Sequence, residues 1–237
     1  MKYFYKVYSE IGNRDCNEDS FLALETEQGY LFVVADGLGG HGNGETASKL
    51  VVDVMKELFL SDCSFDMRTA VNEANLRILR EQRRMKNDMK STIAVVWIKE
   101  NVTEIAHVGD SRIYAFCRKK IVYQSKDHSL AQLAVDIGKI KNESIRQYEK
   151  RNTLFNSLGA EEEVQFFVHT INNSTYDRLL LCSDGFWEYV LEKEMIMRGV
   201  KTDLCERWLS RMIVFMRKRN PYGDDNATAI VVQQGGE

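Results

Sequence analysis

Four aspartates stand at the ends of strand-like runs: Asp36 closes YLFVVAD, Asp110 closes TEIAHVGD, Asp184 closes RLLLCSD, and Asp225 immediately precedes ATAIVVQ. Glu18 and Asp19 introduce one more such run in NRDCNEDSF. Taken singly, each is an ordinary turn residue, because Asp bonds its own backbone and favours turns. Taken together, they constrain the fold. If antiparallel sheets bring these ends to one edge, Glu18, Asp19, Asp36, Asp110, Asp184 and Asp225 form a carboxylate cluster that only cations or raised pKa values could make tolerable. All-oxygen ligation selects Mg²⁺ or Mn²⁺ over Zn²⁺, and no His/Cys cluster competes.

The stretch after Asp36, DGLGGHGNGE, nearly fits two nucleotide motifs. Gly37, Gly39 and Gly42 match GxGxxG, but the dinucleotide fingerprint needs a second strand that ends in an acid about 20 residues on. Asp62 has that spacing and follows a helix instead. Ala47, Leu50, Val51, Val54, Met55 and Leu58 recur at helical period, which predicts a helix from Gly44 to Leu60. Gly39 and Gly44 have Walker A spacing, yet Glu45 stands where that loop needs its lysine. In either reading Asp36 would point a carboxylate at an anion. A carboxylate beside flexible backbone that can offer carbonyls suits a hard cation.

The remaining chain reads as short strands and two groups of amphipathic helices. YFYKVYSEIG, DSFLALET and YLFVVAD come first, and a second helix begins near Asp66 as N-cap. STIAVVWI, TEIAHVGD and RIYAFCRKKIVY follow as three closely spaced strands, then a polar excursion over 129–159, then VQFFVHTI and RLLLCSD. A helix from Asp203 to Arg219 and the strand ATAIVVQ end the series. Close spacing favours antiparallel hairpins, so the expected class is α+β, a sandwich of sheets covered by helices. With one proline and no Ser/Gly-rich linker, residues 1–237 are expected to form one domain. A net charge of -3, from 35 acids and 32 bases, gives no global basic field, so nucleic acid is not an expected partner. Five scattered cysteines without a CxxC pair argue against a zinc site and a disulfide framework. The beginning MKYFYKVYSE lacks a signal-peptide core, and no apolar run nears a membrane span, so a cytoplasmic, monomeric protein away from membranes is expected.

In order along the chain, GNRDCNEDSF, VVADGLGGHGNGE, HVGDSRIY, KDHSL, RNTLFNSLG, LLLCSDGFWEYV and DDNATAIVV resemble the metal-dependent serine/threonine protein phosphatases of type 2C in their short bacterial form. The resemblance covers essentially the whole chain. It implies a four-layer α-β-β-α sandwich and hydrolysis of phosphoserine and phosphothreonine on proteins, opposing a cognate kinase. It assigns Asp36 as the ligand bridging two Mg²⁺ or Mn²⁺ ions, with the Gly37 carbonyl on one and Asp184 and Asp225 completing the second. Glu18 and Asp19 would act through water, and Asp110 with Asp184 would hold a third ion. Arg14 matches the arginine that grips the substrate phosphate, a task its planar fork of donors suits. The implied mechanism is in-line attack on phosphorus by hydroxide generated between the cations.

The sequence departs from the family in places. Leu38 stands where the eukaryotic branch has its acid histidine, so His41 is expected to be a loop residue and not a general acid; His107 and His128 are expected to be structural. The excursion 129–159 corresponds to the flap beside the active site and lacks the proline that often precedes its Arg-Asn pair. Lys90 replaces a common glycine. RILREQRRMKNDMK reads as a solvated helix face, with a docking patch for acidic phosphoproteins as the alternative. A phosphoprotein-binding sensor module is the rival function, against which the intact Arg14, Asp36, Asp184 and Asp225 count. A non-protein phosphoester is a rival substrate.

Overall fold

The computed structural model describes residues 2–39, 43–61, 64–196 and 205–235. Two strands, β1 (Tyr3–Glu10) and β2 (Asp19–Thr26), precede β3 (Gly29–Leu38) and the helices α1 (Asn43–Leu60) and α2 (Met67–Met85). Next come β4 (Lys90–Ser91), β5 (Ile93–Ile98), β6 (Val102–Val108), β7 (Arg112–Cys117) and β8 (Lys120–Gln124). The helix α3 (Leu130–Asp136) and a 3₁₀ turn over Asn142–Gln147 lead to β9 (His169–Asn172) and β10 (Arg178–Cys182). The short helices α4 (Asp184–Trp187) and α5 (Glu192–Met195) precede α6 (Cys205–Arg219) and β11 (Ala227–Gln234).

The strands form two antiparallel sheets, one in the order β1-β11-β10-β7-β8 and the other β2-β3-β5-β6-β9 with β4 attached to β3. Alternation along the strands explains the layering. Tyr30, Phe32 and Val34 of β3, Ala94, Val96 and Ile98 of β5, and Ile230 and Val232 of β11 fill the space between the sheets. The intervening residues Leu31, Val33, Ile93 and Val95 face α1 and α2, whereas Leu180, Cys182, Ala229 and Val231 face α4 to α6. Because both faces are covered, these strands are apolar throughout, and each fully buried Val, Leu, Ile or Phe contributes about 1.5–3 kcal/mol. The result is the expected α+β four-layer sandwich.

Several boundaries differ from the sequence reading. RIYAFCRKKIVY is a hairpin, not one strand: Arg118 takes φ +56°, and its N–H is held at 2.6 Å by Asp177 Oδ2. STIAVVWI is split after Ser91, because Thr92 turns its amide to the Asp36 carbonyl at 2.8 Å. In VQFFVHTI only the end from His169 is strand; Val164, Phe166 and Val168 pack against the α1–α2 layer instead. Asp66 does cap α2, accepting from Thr69 N at 2.8 Å. The basic run on α2 behaves as a solvated face. Arg77 pairs with Glu57 and Glu73, Arg80 with Glu73, Arg83 with Glu162, and Arg84 with Glu81. Among the described residues no helix is long and apolar enough to cross a membrane.

Candidate active site

One edge of the sandwich gathers the predicted acids. In the β2–β3 pair Asp19 lies directly across from Asp36, and Asp110 occupies the crossover from β6 in one sheet to β7 in the other. Cys182 of β10 faces Ala229 of β11, so Asp184, which begins α4, and Asp225, two residues ahead of β11, meet at the same edge. A cleft of about 230 Å³ is lined by Arg14, Glu18, Asp19, Asp36, Gly37, Asp110, Asp184 and Asp225, together with Leu38, Gly39, Asn152, Leu154 and Asn226. All eight residues singled out from the sequence therefore meet. His41, Gly40 and Gly42 lie outside the described residues.

Polar residues scarcely noticed in the sequence hold the acids in place. Thr92 Oγ1 accepts from the Asp36 amide at 2.9 Å, and Ser91 Oγ donates to the Asp36 carbonyl at 3.0 Å. Ser183 Oγ donates to Asp19 Oδ2 at 2.7 Å and accepts from the Thr228 amide, stitching one sheet to the other. Asn226 Oδ1 accepts from the Glu18 amide while its Nδ2 donates to the Ile11 and Cys16 carbonyls. The Trp187 indole donates to the Asp110 carbonyl at 2.9 Å. Only contacts between segments far apart in sequence reveal these roles.

Gly37 and Gly44 serve backbone packing beside the end of β3. A Cβ on Gly37 would lie 1.9 Å from the Gly44 carbonyl oxygen, and one on Gly44 would lie 2.6 Å from both the Gly37 oxygen and Glu18 Oε1. The first turn of α1 thus closes onto the end of β3, and the Gly44 amide donates to Glu18 Oε1 at 3.2 Å.

Electrostatics sets this cleft apart. Burial, then repulsion from Asp184 and its neighbours, holds the Asp36 carboxyl well above the usual range, and burial with Asp110 and Asp225 does the same to Asp184. Burial pushes Asp19 up to about 6 and, with Asp127 nearby, Asp110 up to about 7. Glu18 is raised mainly by burial. Arg14 is the one basic residue of the described lining, and it is committed: its Nη2 lies 2.9 Å from Asp225 Oδ2 and its Nε donates to the Asp224 carbonyl. Among the described residues no group of three or more His, Cys, Asp or Glu side chains is gathered tightly enough to hold an ion as it stands. The donor chemistry nevertheless fits hard divalent cations: oxygen-only, partly shielded from water, with one guanidinium against six carboxyls.

His107 and His128 do not line the cleft. Their rings stack at 4.8 Å; His107 Nε2 bonds the Lys126 carbonyl and His128 Nδ1 accepts from the Gly109 amide. Both are structural, as expected. The excursion 129–159 is strapped down despite its missing proline. Arg146 donates to the carbonyls of Trp187 and Val190 and pairs with Glu192 at 2.8 Å, while Arg151 pairs with Glu188 at 2.7 Å. Its Asn152 and Leu154 consequently reach the cleft.

The model of the family described as Protein phosphatase 2C matches residues 8–224. This chain belongs to the protein phosphatase 2C family. It is an enzyme of that metal-dependent family. Among its relatives is the serine/threonine phosphatase stp of Listeria monocytogenes, 32% identical over 235 residues that cover 93% of this chain and 91% of the relative. Among solved structures, the serine/threonine phosphatase Stp1 from Staphylococcus aureus superposes with a TM-score of 0.86 at 26% identity, covering 100% of this chain and 96% of that one. The catalytic domain of the serine threonine protein phosphatase PstP, in complex with two manganese ions, gives 0.80 at 27% identity, with 98% and 97% covered.

Proposed function

We propose that this phosphatase hydrolyses phosphoserine and phosphothreonine monoesters on proteins, reversing a serine/threonine kinase, with Mg²⁺ or Mn²⁺ as cofactor. The observation that carries the reading is the convergence of Asp19, Asp36, Asp110, Asp184 and Asp225, drawn from both sheets, on one cleft that also holds Arg14. Asp36, Asp184, Asp225 and the Gly37 carbonyl would hold two ions, Glu18 and Asp19 would orient water, and Asp110 with Asp184 would hold a third. When bound, such ions make water acidic enough to attack at neutral pH and neutralise charge on phosphoryl oxygens.

The chain's own part is positioning. Ser183 and Thr92 fix the directions of the Asp19 carboxylate and the Asp36 backbone, so neither strand end has to reorganise during turnover. Arg14, exposed on the rim, would offer the phosphate the guanidinium donors that Asp224 and Asp225 do not take. The relatives named as serine/threonine phosphatases support a phosphoprotein substrate. The test is release of phosphate from a phosphothreonine peptide with Mn²⁺, with Mg²⁺, and with chelator. Turnover is expected with either ion and none with chelator; undiminished turnover in chelator would refute the metal assignment.

A further inference from the structure

β4 sets a lysine in the groove beside this cleft. In its pairing with β3, Ser91 lies across from Gly37 and Lys90 across from Leu38. Hydrogen bonds from Ser91 Oγ and the Thr92 amide to the Asp36 carbonyl pin the strand, so the Lys90 backbone has a fixed place. It stands two strand positions along from Asp36, roughly 7 Å of rise.

Lys90 lines a second groove, of about 480 Å³, with Asp88, Leu38, Gly39, Leu154 and Phe155 among its walls. Leu38, Gly39 and Leu154 line the acidic cleft too, so the two spaces adjoin. Phe155 is 57% exposed there, an aromatic face with little to cover it. The arginines of the neighbouring helix α2 that carry its basic run are matched by acids, whereas Lys90 takes part in no ion pair among the described residues. Asp88 is the other charged residue of the described lining.

We propose that this groove seats the polypeptide beside the phosphorylated residue, and that Lys90 selects an acidic side chain two or three positions from it. The inference rests on the phosphoprotein reading above. An extended chain advances about 3.3–3.6 Å per residue, so two or three residues span the offset between Asp36 and Lys90. Phe155 and Leu154 offer apolar contact to the residues between. The Lys90 ammonium gives charge complementarity to a carboxylate, and Asp88 at the rim opposes it.

The experiment compares two phosphothreonine peptides that differ only in carrying Glu or Lys at the second and third positions on either side of the phosphoresidue. The quantity read is the ratio of kcat/KM, Glu peptide over Lys peptide, within each Mn²⁺-loaded preparation, so that losses in folding or metal loading cancel. The wild type should favour the Glu peptide roughly fivefold, through KM, and less so at high salt. Lys90→Arg should keep the ratio, Lys90→Ala should bring it to one or slightly below because Asp88 is left unopposed, and Lys90→Glu should bring it lower still, by loss and then reversal of the charge. Asp88→Asn should widen it. An equal ratio in the wild type and Lys90→Glu would overturn the inference while leaving the phosphoprotein reading standing. A wild type that hydrolyses p-nitrophenyl phosphate but neither peptide would overturn both.

Discussion

Asp19 and Asp36 are cross-strand partners, two carboxyl side chains set directly opposite each other on adjacent strands. Like charges so placed repel, and both of these carboxyls are held above the usual range. Asp36→Asn removes one of them. In chelator the variant should melt higher than the wild type, by about 2–4 °C for each kcal/mol of repulsion relieved. Turnover should fall to background, and added Mn²⁺ should no longer raise the melting temperature. Thermal melts with and without Mn²⁺ read the two stability effects and a phosphate-release assay reads the turnover; a variant that melts lower in chelator would contradict the opposition of charges.

The same repulsion fixes a pH dependence. A carboxyl whose folded pKa is raised keeps its proton in the native state while the unfolded chain has lost it, so stability falls as pH rises through the folded value. Asp110, near 7, and Asp36 and Asp184, raised well above their usual range, act above pH 6.5. His107 and His128 are both pushed down by burial, His128 to about 4, and so stay neutral in the folded protein over that interval. Metal-free protein should therefore melt lower at pH 8 than at pH 6.5. With saturating Mn²⁺ the gap should close or reverse, because bound carboxylates are ionised. A metal-free melting temperature that rises from pH 6.5 to 8 would count against this electrostatic account.

Arg14→Ala should raise KM for p-nitrophenyl phosphate and leave the number of bound ions unchanged. Because Asp225 loses its 2.9 Å partner, Mn²⁺ should also bind somewhat tighter in the variant. Steady-state kinetics and calorimetric titration separate the two effects. An unchanged KM would reduce Arg14 to a counter-ion for Asp225.

Asp110→Ala should weaken mainly the proposed third ion and leave two bound. Metal counting after gel filtration at graded Mn²⁺ concentrations decides it, and loss of every ion would contradict the division of roles.

Arg112 is buried, with Nε and Nη2 donating to the two Asp127 oxygens at 2.8 and 2.7 Å and the guanidinium lying 3.4 Å from the Trp187 ring centroid. Arg112→Ala strands a buried carboxylate and should cost about 3–5 kcal/mol in urea unfolding. A loss below about 1 kcal/mol would show that the pair is replaceable by solvent.

What could be read in advance follows from the range over which each residue acts. The strand Asp19–Thr26 and the N-cap Asp66 depend on neighbours a few residues away, and both were legible. The hairpin at Arg118 was not, because the bond that steadies its left-handed turn comes from Asp177. Strand-end acids revealed the cleft because turn chemistry and charge can be seen locally. Ser183 and Asn226 looked like any small polar residues; their partners, Asp19 and Glu18, lie 164 and 208 positions away. Nothing local to Trp187 announces that its indole holds the Asp110 carbonyl.

β11 lies between β1 and β10, joining the first described strand to its sheet. During synthesis β1 is made long before β11 and cannot take its place beside that strand until β11 leaves the ribosome. Asp225 and the Thr228 amide that holds Ser183 arrive with that strand, so a nascent chain stalled before it has an incomplete cleft and an open sheet edge. Completion of the cleft is thereby postponed until β11 has been made, and until then β1 lacks the strand beside which it lies.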